Sequence, residues 1–206
     1  MPSEDAVRTS ADLLARILSP GSGSPTGASG ALAGSLAATL LATVCGTALE
    51  GCKSEKVEEE LRRIHDRAVS LRRDLLALVD RGAEAASAVA AARKAAHRGE
   101  DERLRALLFA SEVPLRTAES CHALLNLALR ALGRIGVKAI AEIGTSSALA
   151  FAGVVGGIVT ARTFLAGIPS GSGTGAEATR KRAERIFREA EALRTQITDR
   201  VRQHLP

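Results

Sequence analysis

The run IGTSSALAFAGVVGGIVTA at 143–161 contains no charged residue, and neither does the run ASGALAGSLAATLLATVCGTAL at 28–49. Both runs are rich in small residues, which let helices approach one another closely. Strands favour β-branched and aromatic residues instead, and the 206 residues include no Trp, no Tyr and only four Phe. The sequence therefore predicts an all-α fold, a multi-helix bundle with these two Ala/Gly-rich helices buried at its centre.

Both uncharged runs approach the length of roughly 20 residues that a membrane-spanning helix needs. Their composition argues against insertion, because alanine gains little from lipid and Gly, Ser and Thr oppose transfer into it. The Trp and Tyr belts of membrane interfaces are missing from the sequence as well. We therefore expect two core helices of a soluble protein and no membrane partner.

Amphipathic segments flank the uncharged runs. One helix is predicted at residues 5–18, and the last helix opens with a capping box, Thr174-x-x-Glu177. Between them, apolar residues recur at steps of three and four from Val57 to Leu78. This stripe is longer than a single short groove requires, so we expect it at the interface of a homodimer. Residues 1–206 are predicted to form a single domain.

Charge and cysteine usage exclude several classes of function. The net charge is only +5, and the basic pairs at 62–63 and 72–73 lie among acidic residues without aromatic neighbours, so no nucleic-acid partner is expected. The three cysteines form no CxxC pair and no pattern with the four histidines, so no metal site is predicted. Their odd number and the polar, acidic start of the chain favour reduced thiols in the cytoplasm.

Four short segments follow one another along nearly the whole chain: SPTGASG at 24–30, leading into ALAG; LLALVD at 75–80; EVPL at 112–115; and AEIG at 141–144. Their order and spacing resemble the folate cyclodeaminase/cyclohydrolase family, which is related to the C-terminal half of formiminotransferase-cyclodeaminase. The resemblance implies a helical homodimer with folate sites near the subunit contact. It also implies a folate-type substrate and a reaction that needs no metal or redox cofactor.

Several positions depart from the family pattern. The family's triple-glycine loop is interrupted around Gly27, and Gly82 stands where a second acidic residue is usual. Thr160 and Phe164 replace two asparagines, and the family's Ser-Asp pair becomes Ala-Glu at 141–142. Two hypotheses therefore stay open. The chain is a cyclodeaminase or cyclohydrolase, or it is a catalytically inactive helical binding or partner protein on the same scaffold.

The reaction that the resemblance implies takes a proton from one nitrogen and gives it to another, or adds water, so carboxylates are its natural catalysts. Glu142 is the first candidate, because it enters an uncharged helix that is expected to be buried. It fits equally well as a charge that stabilises the helix dipole. Asp80 is the second candidate, with a solvated position at a helix end as its alternative.

Four further residues are candidates for substrate binding. Gly27 and Ser29, at the start of the first uncharged helix, would present backbone donors to an anionic group. Arg162 would hold a carboxylate of the glutamyl tail, or extend to solvent. Lys138, four residues before Glu142, would pair with that carboxylate or touch the substrate.

Overall fold

The computed structural model describes residues 25–94, 99–172 and 175–204, together with residues 12 and 15. Within these ranges the chain forms helices and no strand, which confirms the all-α prediction. The helices are α1 (Pro25–Glu50), α2 (Glu55–Lys94), α3 (Glu100–Leu132), α4 (Ile140–Leu165) and α5 (Ala176–His204), with a 3₁₀ turn at Val137–Ala139. The helix predicted at 5–18, apart from residues 12 and 15, and Thr174 of the predicted capping box lie outside the described residues.

The two uncharged runs, now α1 and α4, pack against each other in antiparallel orientation. The Ser146 hydroxyl on α4 donates a hydrogen bond of 2.9 Å to the carbonyl of Ala37 on α1. Towards the other end, Gly30 lies against Gly153 and Gly156. A Cβ on Gly153 would lie 2.8 Å from the Gly30 carbonyl oxygen, closer than real Cβ atoms come. The glycines therefore set the close approach of this central pair.

Neither central helix is covered on every side. Leu36 on α1 is 52 % exposed and Val159 on α4 is 50 % exposed. Both helices are long and apolar enough to cross a membrane, and 44 % of the most apolar 18-residue stretch of each is buried within the chain. The expectation of all-round burial is thus wrong, because α2, α3 and α5 cover one side of the pair and leave the other open.

The apolar stripe of α2 forms part of the core of the chain. Val57 at its start is half-buried, and from Leu61 onwards its side chains are at most 7 % exposed: Leu61, Ile64, Ala68, Leu71, Leu75 and Leu78. They belong to the same buried cluster as the inner faces of α1 and α3. The prediction that this stripe forms a dimer interface is therefore wrong, since a second chain has no access to it.

Candidate substrate site

A small cavity lies where the start of α1, the middle of α2 and α3 and the end of α4 meet. Its lining includes Gly27, Gly82, Pro114, Thr160 and Phe164. These residues are far apart in sequence, and the antiparallel pairing of the helices brings them together. All five occupy positions that the sequence comparison with the folate family singled out, either as matches or as departures.

The cavity is small. Its volume is about 20 Å³, which is room for about one water molecule. Phe164 is half-buried and forms part of the wall. A bicyclic ring does not fit this space, so a ligand of that size reaches the cavity only from a neighbouring opening or after the wall moves.

α3 forms one wall of the cavity and runs without interruption through Pro114, although a proline inside a helix removes a backbone donor and tends to kink it. Gly157 of α4 lies directly against this segment. A Cβ there would lie 2.5 Å from the Pro114 carbonyl oxygen and 2.9 Å from the Ala118 nitrogen. Glycine at 157 therefore lets α4 approach α3 beside the cavity.

A much larger cleft runs between α2 and α3 and shares Leu78 with the cavity. Its volume is about 400 Å³, within the range of roughly 300–1,000 Å³ typical of small-molecule sites. Three arginines line it, Arg67 and Arg81 from α2 and Arg116 from α3. Within the described ranges none of these three arginines forms an ion pair, so they give the cleft an available positive charge.

The acidic side of the cleft is partly neutralised. Glu119 lines the cleft and binds the Arg182 guanidinium through both carboxylate oxygens, at 2.6 and 2.7 Å. Arg182 also donates to Glu112 at 3.1 Å. The hydrogen bond to Glu119, followed by the charges of both carboxylates, raises the pKa of Arg182 above its ordinary value. Glu119 is therefore held towards α5.

The structure places four of the predicted site residues at the cavity end of the bundle. Gly27 lines the cavity and is half-buried. Asp80 is exposed and lies in the chain between the lining residues Leu78 and Gly82. Ser29 is exposed on α1, and Arg162 is exposed and donates to Glu184 of α5 at 2.6 Å.

Glu142 and Lys138 lie at the opposite end of α4. Glu142 precedes Thr160 by 18 positions of one helix, which corresponds to about 27 Å. Glu142 is also exposed, so the burial expected for it is wrong. Lys138 belongs to the 3₁₀ turn before α4. A single chain does not bring Glu142 and the cavity to one small substrate.

The sequence model of formiminotransferase-cyclodeaminase matches residues 9–185. The chain belongs to the formiminotransferase-cyclodeaminase family. The crystal structure of a formiminotetrahydrofolate cyclodeaminase from Thermotoga maritima superposes with a TM-score of 0.74 at 24 % identity, over 87 % of this chain and 86 % of that chain. This similarity shows a shared fold. No curated protein matches the sequence.

The three arginines that line the cleft of this cyclodeaminase family member were not among the site residues predicted from the sequence. Arg67, Asp74 and Arg81 are seven residues apart on α2, a spacing that places them on one helix face. That regularity was visible in the sequence. The facing Arg116 was not predictable, because only the pairing of α2 with α3 brings it opposite.

Proposed function

We propose that the protein is a folate-type one-carbon enzyme that acts on a tetrahydrofolate derivative as a cyclodeaminase or a cyclohydrolase. One observation carries the proposal beyond family membership. Five positions that match or alter the family pattern line a single cavity, which adjoins a ligand-sized cleft of positive character. Substrate in the cleft would direct its one-carbon end towards the cavity.

Asp80 is the proposed acid/base at this end of the bundle. In ring closure, the attacking nitrogen of the substrate loses a proton and the departing ammonia gains one. A carboxylate beside the cavity can accept the first proton and return it to the leaving nitrogen. Asp80 matches the acidic position of the family pattern and is open to solvent. It is two positions from the lining residues Leu78 and Gly82, so it lies on a different face of α2 and would meet the substrate at the rim of the bundle rather than inside the cavity.

Substitution of Asp80 by Asn tests this role. The amide keeps the shape and removes the titrating proton, so turnover should fall by roughly 10²–10⁴-fold while binding changes little. Formation and hydrolysis of methenyltetrahydrofolate can be followed spectroscopically. Asp66→Asn is the matched control, since Asp66 is exposed on the same helix and interacts with His65. Unchanged turnover in Asp80→Asn would remove this residue from the mechanism.

The alternative function is a catalytically inactive binding or partner protein. It is favoured by the small volume of the cavity, in which Thr160 and Phe164 replace the amides of the family pattern. Absence of turnover in the unaltered protein, with no tetrahydrofolate binding by calorimetry, would support this alternative and refute the enzyme.

We further propose a homodimer formed through the open face of α1 and α4. The outward positions of this face are uncharged and small or apolar, and they include Leu36, Ala148, Ala152 and Val159. A second copy is the fitting occupant, because a two-fold axis lets one uncharged face cover itself. Ala152, midway between Glu142 and Arg162, would let two copies of α4 cross closely in antiparallel orientation.

This dimer would complete the catalytic site. A two-fold axis perpendicular to α4 near Ala152 would place Glu142 of the partner subunit near the Arg162 end of this chain, where the cavity lies. Both predicted carboxylates, Asp80 and the partner's Glu142, would then lie at the same end of the bundle, where the cavity is. The proposal accounts for the placement of the two candidates at opposite ends of a single chain.

Subunit mixing tests the shared site. Asp80→Asn and Glu142→Gln proteins, each inactive alone, should recover roughly a quarter of full activity after random exchange, because half the dimers are mixed and each has one intact site. A site within one chain would give no recovery.

Sedimentation tests the interface itself. Leu36→Glu should give monomers, whereas Leu76→Glu should leave the dimer intact, because Leu76 is exposed on α2 and outside this face.

A further inference from the structure

The cleft between α2 and α3 has the features of a carboxylate-binding site. Small residues, Ala77 on α2 and Ser120 and Ala123 on α3, leave its centre open. Arginines stand along its walls, and a guanidinium binds a carboxylate through two parallel hydrogen bonds. Of its two acidic lining residues, Glu119 is already bound to Arg182, so three arginines face one remaining carboxylate, that of Asp74.

The arginines are not equally placed with respect to the cavity. Arg81 follows the shared lining residue Leu78 by three positions, and Arg116 is next to the cavity residue Thr117. Both therefore stand at the end where cleft and cavity meet. Arg67 is 14 positions from Arg81 on α2, about 21 Å along the helix, and marks the far end.

We propose that this cleft binds the glutamate carboxylates of the folate-type substrate, with Arg81 and Arg116 as the principal ligands. The inference rests on the proposed function, and it assigns the tail of the substrate to a different arginine pair from Arg162. Arg162 is paired with Glu184 on α5, whereas Arg81 and Arg116 have no such partner within the described residues. A ligand anchored by this pair extends from the cleft towards the cavity.

Two ligands that differ only in the tail test the assignment. Calorimetry with tetrahydrofolate and with tetrahydropteroate, which lacks the glutamate, should show at least about tenfold tighter binding of tetrahydrofolate. Arg81→Gln and Arg116→Gln should each remove most of this preference without changing the affinity for tetrahydropteroate. Arg67→Gln should have a smaller effect, since it lies far from the junction.

Arg73→Gln is the matched control, because Arg73 is exposed on α2 and does not line the cleft. Equal tetrahydrofolate affinity in the unaltered, Arg81→Gln and Arg116→Gln proteins would overturn the inference and leave the proposed function standing. Binding of free glutamate that is lost in Arg81→Gln, without binding of either pteridine, would keep a carboxylate site in the cleft and overturn the proposed function. No binding of any of the three ligands would overturn both.

Discussion

Replacement of Gly157 by alanine tests whether close contact between α3 and α4 holds the bundle together. The new Cβ would lie 2.5 Å from the Pro114 carbonyl oxygen, 2.9 Å from the Ala118 nitrogen and 3.0 Å from the Ala118 Cβ. Two of these atoms belong to the backbone of α3, so no side-chain rotation relieves the overlap. The helices would have to separate by about 1 Å to restore ordinary contact distances.

Two opposing effects set the size of the change. Alanine is favoured over glycine in a helix interior by about 1 kcal/mol. Overpacking a close-packed core costs about 1–3 kcal/mol, and contact with backbone places Gly157→Ala at the upper end. We therefore expect a net loss of about 2 kcal/mol, which lowers the melting temperature of a chain of this size by roughly 4–8 °C.

Gly144 provides the control, because it lies in the same helix with more space around it. An added Cβ there meets Val201 Cγ1 at 3.4 Å, an ordinary contact. Gly144→Ala should therefore gain about 1 kcal/mol from helix propensity alone and raise the melting temperature. Thermal unfolding followed by circular dichroism compares the two variants. Equal stabilisation by both would refute the close-contact account of the central helices.

Leu61→Glu should abolish folding rather than dissociate a dimer, because Leu61 is 1 % exposed and an unpaired carboxylate would be buried there; retained helical circular dichroism would contradict this. At about pH 8, a disulfide reagent should modify the half-exposed Cys52 rapidly and the two buried thiols only after unfolding. Burial raises the pKa of Cys45 to about 11 and that of Cys121 to about 12, so little of either thiol is present as the reactive thiolate. Arg182→Gln should lower the free energy of unfolding by about 1 kcal/mol, less at high salt, because it removes partly exposed ion pairs to two α3 carboxylates; salt-independent stability loss would point to packing instead.

The limits of prediction are visible in the α2 stripe. A repeat of three and four residues fits a helix packed inside its own chain as well as one packed against a partner. The sequence identified every buried position from Leu61 to Leu78. The dimer interface predicted for this stripe was nevertheless wrong, because α1 and α3 of the same chain already cover it. Periodicity identifies the buried face of a helix and leaves open which chain buries it.

The sequence by itself determined the helical class, the pairing partners at the centre and the family. The absence of charge favours burial of a helix, and an abundance of small residues allows another helix to pack closely against it. Both features can be read from a short stretch of sequence. Tertiary structure alone decided that Gly27, Gly82 and Phe164 line one cavity and that Glu142 lies at the other end of the bundle. It also decided that Arg116 faces the α2 arginines. These relations depend on the direction and register of antiparallel helices, which arise from contacts between residues far apart in the chain.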